Sequence, residues 1–204
     1  MEKLDLKEQW KDLYQPRTNT IATVKAPKLS FLMVDGEGDP NSAKAYKDAI
    51  EALYSVAYTM KFARKRMPGN VLDFGVMPLE SLWWTESGDS FYQAKKSTWK
   101  WTAMILQPYF ITKAAVAATV EELRKKKDLP GLDRLRLEAF TEGAAMQVLY
   151  IGPYCDEGPT IERLHEAIHA AGKEISGKHH EIYFSDPRRT APAKLKTIIR
   201  QPMR

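Results

Sequence analysis

The chain carries one cysteine, Cys155, in 204 residues. A lone thiol excludes an internal disulfide framework and fits a reducing cytoplasm. Long hydrophobic runs are missing too: a stretch such as AAVAATV, residues 114–120, falls well short of the roughly 20 apolar residues a membrane helix needs. The N-terminal MEKLDLKEQWKDLYQ mixes charges where a signal peptide would have an apolar segment. These absences lead us to expect a soluble, cytoplasmic protein with no membrane partner.

Composition is that of a folded domain, 44% hydrophobic and 28% charged. The length suits one domain with a sizeable core or two small fused modules. A formal charge of +5 and a pI near 9.1 raise the question of nucleic acid. RKR (64–66), RKKK (124–127), Arg134 and Arg136 are the candidates. They are scattered over helix ends and solvated strand faces, and no helix-turn-helix, zinc-finger or RNA-binding signature accompanies them, so no specific nucleic-acid partner is expected.

Apolar periodicity divides the chain into two similar halves. KLSFLMVDGEG (28–38) has strand character and stops at a Gly-rich turn, after which Asn41 or Ser42 can cap a helix running to about Arg66. Strands are expected over 71–86, bent near Pro78, and over 98–108, followed by a helix from about Thr112 to Lys127. RLRLEAFTEGAAMQVLYIG (134–152) suggests two strands around Glu142-Gly143, and Pro159 opens a helix to about Ala171. KHHEIYFSD (178–186) and KTIIRQP (196–202) complete the second half. Both halves run strand, helix, strand, strand, and ILQP (105–108) echoes IRQP (199–202). The expected fold is α+β: a single domain of two such modules, about 28–108 and 134–202, related by a pseudo-twofold axis. Each helix would cover one face of its sheet, and the uncovered faces would meet in a central ligand groove.

Strand alternation in KHHEIYFSD sets Ile182 and Phe184 on one face and His179, Glu181 and Tyr183 on the other. If Ile182 and Phe184 pack on the second helix, Glu181 and Tyr183 point into the groove. Aligning WWTES (83–87) with IYFSD (182–186) gives Trp84 the role of Tyr183. Trp99 and Trp101 share a face of their own strand. The tryptophans can form a core or a binding cage, since aromatics serve both. Adjacent Trp83 and Trp84 must face opposite sides.

One formal metal motif is present. HEAIH (165–169) matches the H-E-x-x-H zinc pattern. A zinc hydrolase is the weaker reading, because Ile161, Leu164 and Ile168 take the buried stripe and Ile175 stands where a longer pattern needs a third histidine. His179 and His180 point to opposite faces and cannot chelate one ion together. No metal or cofactor is expected, and the oligomeric state is not legible.

VDGEGDPN (34–41), PLESLWW (78–84), WKWTAMILQP (99–108), YIGPY-DE (150–157), HHEIYFSDPRR (179–189) and LKTIIRQP (195–202) together resemble the GyrI-like small-molecule-binding family. More closely they resemble its stand-alone subfamily that includes cyclopropanoid cyclopropyl hydrolases. The resemblance implies the duplicated fold, a groove for flat, often cationic aromatic compounds, and a ligand-binding strand glutamate that by position is Glu181. It also implies an aromatic cage, matched best by Trp84, Trp101, Tyr154 and Tyr183, then by Trp83, Trp99 and Phe110. Catalytic roles follow for Glu181, activating water, and for Tyr183, donating to a dienone oxygen as the cyclopropane opens. A non-catalytic multidrug-binding protein, acting as sink or sensor, is the alternative. Regulators of the family carry a DNA-binding domain, for which the roughly 27 residues before the first strand leave too little room.

Overall fold

The computed structural model describes residues 3–69, 72–87 and 93–204. Its elements run β1 (Lys3–Leu4), α1 (Leu6–Gln9), α2 (Lys11–Tyr14), β2 (Ala22–Glu37), α3 (Lys44–Lys65), β3 (Asp73–Phe74), β4 (Leu79–Trp84) and β5 (Lys100–Gln107). The remainder are α4 (Lys113–Arg124), β6 (Arg136–Ile151), α5 (Gly158–Ala170), β7 (His179–Tyr183) and β8 (Lys196–Pro202). The fold is α+β around a sheet-dominated, barrel-like core. Six strands close in the order β2-β5-β4-β7-β8-β6, every neighbouring pair antiparallel. Exchanging β2, β4 and β5 for β6, β7 and β8 maps this order onto itself. The strand-helix-strand-strand order thus occurs twice, with the β4–β7 and β2–β6 pairs lying on the pseudo-twofold axis.

Local sequence explains most boundaries. In α3 the buried Tyr46, Ala49, Leu53, Val56 and Met60 recur every three or four residues and form one apolar stripe. Neither Asn41 nor Ser42 caps it. The cap position is Ala43, without a side-chain bond, because the Asp39 carboxylate accepts from the Asn41 N–H and the Asp39 carbonyl from the Ala43 N–H, holding the entry turn. The stretch expected as one bent strand, 71–86, is two short strands, β3 and β4, parted by a segment around Pro78; Val71 lies outside the described residues. Thr112 caps α4 through its hydroxyl, as a threonine before an apolar-periodic run should.

Residues 134–152 do not form two strands. β6 is continuous for 16 residues and keeps its register with β2 on both sides of the Ala26–Gly143 pair. Gly143, at φ 81°, bends the strand without reversing it, as a glycine does at a barrel corner. The long β2 and β6 each reach past one module into the other, and this closes the barrel.

Closure also reverses the expected faces of β7. Both helices lie outside the barrel, against the side that carries Ser81, Trp83 and Glu181. Tyr46 of α3 meets Ser81 and Trp83 there, and Glu157, at the start of α5, lies beside Glu181. Ile182 and Phe184 therefore do not pack on the second helix. Ile182, fully buried, faces the barrel interior on the side of Glu80 and Ile198, and Phe184 lies under Lys7 of α1. A curled sheet has an inside too narrow for a helix, so side chains fill the concave face.

The interior is not wholly apolar. Beside Leu82, Met104, Ile182 and Ile198 sit Glu80, Glu142, His180 and Arg200, each at most 2% exposed in its side chain. His180 bridges Glu142 and Glu80 at 2.9 and 3.0 Å, and Arg200 meets Glu142 at 3.0 Å. The N-terminal segment stoppers this end. Tyr14 donates to Glu80 at 2.8 Å, and Arg200 and Gln147 donate to the carbonyls of Leu13 and Asp12. Each buried charge thus has a partner, as burial demands.

Candidate functional site

β7 delivers Glu181 and Tyr183 to the helix-covered side. Tyr183 donates a 2.6 Å hydrogen bond to Glu181 Oε2 and accepts one of 3.1 Å from Trp83 Nε1 across the β4–β7 pair. His179 Nε2 lies 3.3 Å from Glu181 Oε1. On the neighbouring strand, Ser81 pairs directly with Glu181, and its hydroxyl is 2.8 Å from that of Tyr46. Tyr46 in turn packs against Trp83 and Trp101, with ring centroids 5.5 and 4.9 Å away. Trp99 stacks edge-on against Trp83.

The electrostatics turn on a residue that the sequence does not single out. Glu157 precedes the first residue of α5, where a glutamate ordinarily meets water or the exposed N–H groups. It makes no capping bond, is 4% exposed, and turns inward to Glu181. Burial, reinforced by the Glu181 charge, pushes its carboxyl up to about 10. Its Oε1 has no hydrogen-bond partner among the described residues. At neutral pH Glu157 therefore holds a proton beside Glu181. Burial and Glu181 also raise the Tyr183 phenol well above its ordinary value, so it stays a donor.

Tyr154 closes the cluster from outside. Its ring stands edge-on to Tyr183 at 5.6 Å and is 38% exposed, while Glu181 is only 7% exposed. Burial and the nearby carboxylates raise its phenol to about 12.

The sequence-expected residues divide into groups. Glu181, Tyr183, Trp83, Trp99 and Tyr154 come together in one contiguous cluster. Trp101 borders it through Tyr46 but is fully buried, its ring lying over Gly36, where an added Cβ would fall 2.2 Å from ring carbons. Trp84 does not join them. It faces the other side of β4, with Lys178 Nζ 3.3 Å from its ring centroid. The alignment of WWTES with IYFSD exchanged the two faces because it shifts by an odd number of residues; Trp83, not Trp84, shares the side of Tyr183. Phe110 lies apart, against Phe74 and the guanidinium of Arg64. On α5, His165 is half-buried near His179 and Gln201, while His169 is exposed. Among the described residues no three of His, Cys, Asp and Glu gather as metal ligands, and no helix is long and apolar enough to cross a membrane.

Comparison with solved structures returns three from Listeria innocua over nearly the whole chain. A conserved protein is 36% identical, with a TM-score of 0.90, covering 98% of this chain and 100% of its own. Two structures described as hydrolases are 34% and 35% identical, with TM-scores of 0.86 and 0.88, covering 98% and 100% of this chain and 100% of theirs. No curated protein matches the sequence. The family model of the GyrI-like small molecule binding domain matches residues 20–204, the whole barrel with both of its outer helices, and the chain belongs to that family.

Proposed function

We propose that the protein binds planar aromatic or reactive xenobiotics against the Trp83–Tyr183–Tyr154 cluster and hydrolyses the cyclopropane ring of DNA-alkylating cyclopropanoid compounds, protecting the cell. The observation that carries this reading is the close carboxyl pair at one aromatic site, Glu157 buried beside Glu181, where burial and its neighbour keep Glu157 protonated. A carboxyl that holds its proton beside a second one can supply a general acid and a general base together. The 34–35% identity to structures described as hydrolases supports turnover over binding alone.

The substrate slips under Tyr154, its flat face against the rings. Water is oriented by Glu181, whose other oxygen is steadied by the Tyr183 hydroxyl. As the water oxygen bonds to the cyclopropane methylene, its proton passes to Glu181. The carbon–carbon bond to the spiro carbon breaks, and its electron pair flows through the dienone to the carbonyl oxygen. That oxygen takes the Glu157 proton and becomes a phenol, so the net change is addition of one water. From sequence, Tyr183 was the expected donor to this oxygen. Its hydroxyl is bonded to Glu181, so the donation is assigned to the protonated Glu157 carboxyl, which also meets Glu181 and Thr197. Help of this kind is worth about 10² to 10⁴ in rate, enough for a strained electrophile.

The test is a product assay with a spirocyclopropane dienone in large excess over protein. More than one equivalent of ring-opened, hydrated product per chain is expected. Sequestration that stops at one equivalent, with no hydrated product, would make the protein a sink or sensor.

A further inference from the structure

The barrel has one stoppered end and one open end. At the open end a cavity of about 630 Å³ is lined by Trp84 of β4, Lys100 and Thr102 of β5, Asp35 and Glu37 of β2, Arg134, Arg136 and Lys178. This is within the range of small-molecule sites, and barrel mouths are a recurrent place for them. It is separate from the Glu181 cluster: Trp83 and Trp84 are chain neighbours on opposite faces of β4.

Four cations and two acids line the cavity, and Glu86 and Glu138 add two more acids at its edge, pairing with Lys100 at 3.1 Å and with Arg136 at 2.5 Å. Asp35 and Glu37 are satisfied internally. Asp35 is held by Arg136 at 2.9 Å and by the Thr102 hydroxyl at 2.7 Å, and Glu37 by Lys100. Two of the four cations have no ion-pair partner among the described residues. Arg134 reaches only the Asp35 carbonyl, at 3.1 Å. Lys178 rests its ammonium on the Trp84 ring, a contact that stands in for a counter-ion. Burial holds the Lys178 amine below its ordinary value, as expected for a cation short of partners. A positively charged ligand would meet Asp35 and Glu37 only where Arg136, Thr102 and Lys100 already hold them. A flat anion would find an aromatic face in Trp84 and two uncommitted cations beside it.

We infer that the barrel mouth is a second ligand site, which takes a planar aromatic ring bearing a carboxylate or phosphate group. The ring stacks on Trp84, and Lys178 swings from that ring to the anion, joined by Arg134. This recognition is opposite in sign to that of the Glu181 site, where a carboxylate favours neutral or cationic ligands.

The experiment is calorimetric titration with 1-naphthyl phosphate, 1-naphthoate and, as the charge-reversed control, 1-naphthylmethylammonium. One saturable site is expected for each anion, at least about tenfold tighter than for the cation. Lys178→Gln and Arg134→Gln should each weaken anion binding roughly three- to tenfold, and Trp84→Leu about tenfold or more. The two cationic side chains reach solvent, so folding of those variants is expected and is checked by melting temperature. Glu181→Gln should leave anion affinity unchanged, which separates this site from the one above. Equal affinity for the cation, no saturable binding of either anion at millimolar concentration, indifference to the Lys178 and Arg134 changes, or loss of binding in Glu181→Gln would each overturn the proposal.

Discussion

Tyr183 donates its 2.6 Å hydrogen bond to a carboxylate only two residues back on its own strand, so Glu181 and Tyr183 stand side by side on one face of β7. Replacing Glu181 with Gln keeps an oxygen to accept that bond and removes the neighbour that helps to hold Glu157 protonated. Stability should stay within about 1 kcal/mol of wild type, since the weakened Tyr183 bond and the lower cost of burying Glu157 beside a neutral amide oppose each other. Turnover of a cyclopropanoid should fall by roughly 10² to 10⁴. Thermal melting and product formation are measured on the same preparation. A variant that unfolds while its folded fraction still turns over would make Glu181 part of the scaffold.

Glu157 gives a prediction of opposite sign. Its folded-state value, about 10, lies above the ordinary 4.5, so the folded protein keeps a proton that the unfolded chain has released. Stability from this group is full below pH 4.5 and is lost as pH rises toward 10. Glu157→Gln removes that slope, and its amide can donate to Glu181. The variant should be more stable than wild type at pH 8 by roughly 1–3 kcal/mol, with a margin that widens between pH 6 and 9. It should bind ligand yet lose turnover, because an amide has no proton to give. Urea denaturation at several pH values and the product assay test both halves.

Much of this arrangement was legible in the sequence because alternation and helical spacing report faces directly. The stripe of α3 and the pairing of Glu181 with Tyr183 on one face follow from period, and the start of α5 at Pro159 from the place of proline in a first helical turn. Which side of a face becomes inside is not local information. It depends on β2 and β6 being long enough to close the barrel, and Gly143 reads as a turn unless its partner strand is known. Glu157 was hidden for a similar reason, since a glutamate opening a helix looks like an exposed one. The charged N-terminal segment gave no hint that Tyr14 and the backbone of Leu13 would stopper a charged interior.

Gly36 leaves room for the Trp101 ring, and a Cβ there would meet ring carbons at 2.2 Å. Trp101 is fully buried between β2 and Tyr46, so it has no free space to retreat into. Gly36→Ala should cost about 1–3 kcal/mol through overpacking and displace the Tyr46 ring that abuts Trp83. Its melting temperature should fall by several degrees, and an unchanged one would mean that β2 shifts freely.

The interior ion network sets a pH window for stability. Burial alone would lower the His180 imidazole, but Glu142 and Glu80 outweigh it and hold it at about 9 against an ordinary 6.5. Burial alone would raise the Glu142 carboxyl, but His180 and Arg200 bring it to about 2 against an ordinary 4.5. Stability from the imidazolium is therefore full below pH 6.5 and is lost as pH rises through 9. Stability from the carboxylate is full above pH 4.5 and is lost as pH falls through 2. These are two views of one contact and are counted once. Glu142→Gln leaves Arg200 and His180 short of a buried counter-charge, so it should cost roughly 3–5 kcal/mol near pH 6. Denaturant midpoints should show that deficit shrinking at pH 9.5, where His180 is neutral in both proteins, without vanishing, because Arg200 still meets Glu142 at 3.0 Å in the wild type. A deficit that stays constant from pH 6 to 9.5 would mean that Glu142 acts through shape and hydrogen bonding and that the imidazole carries no charge in the folded state.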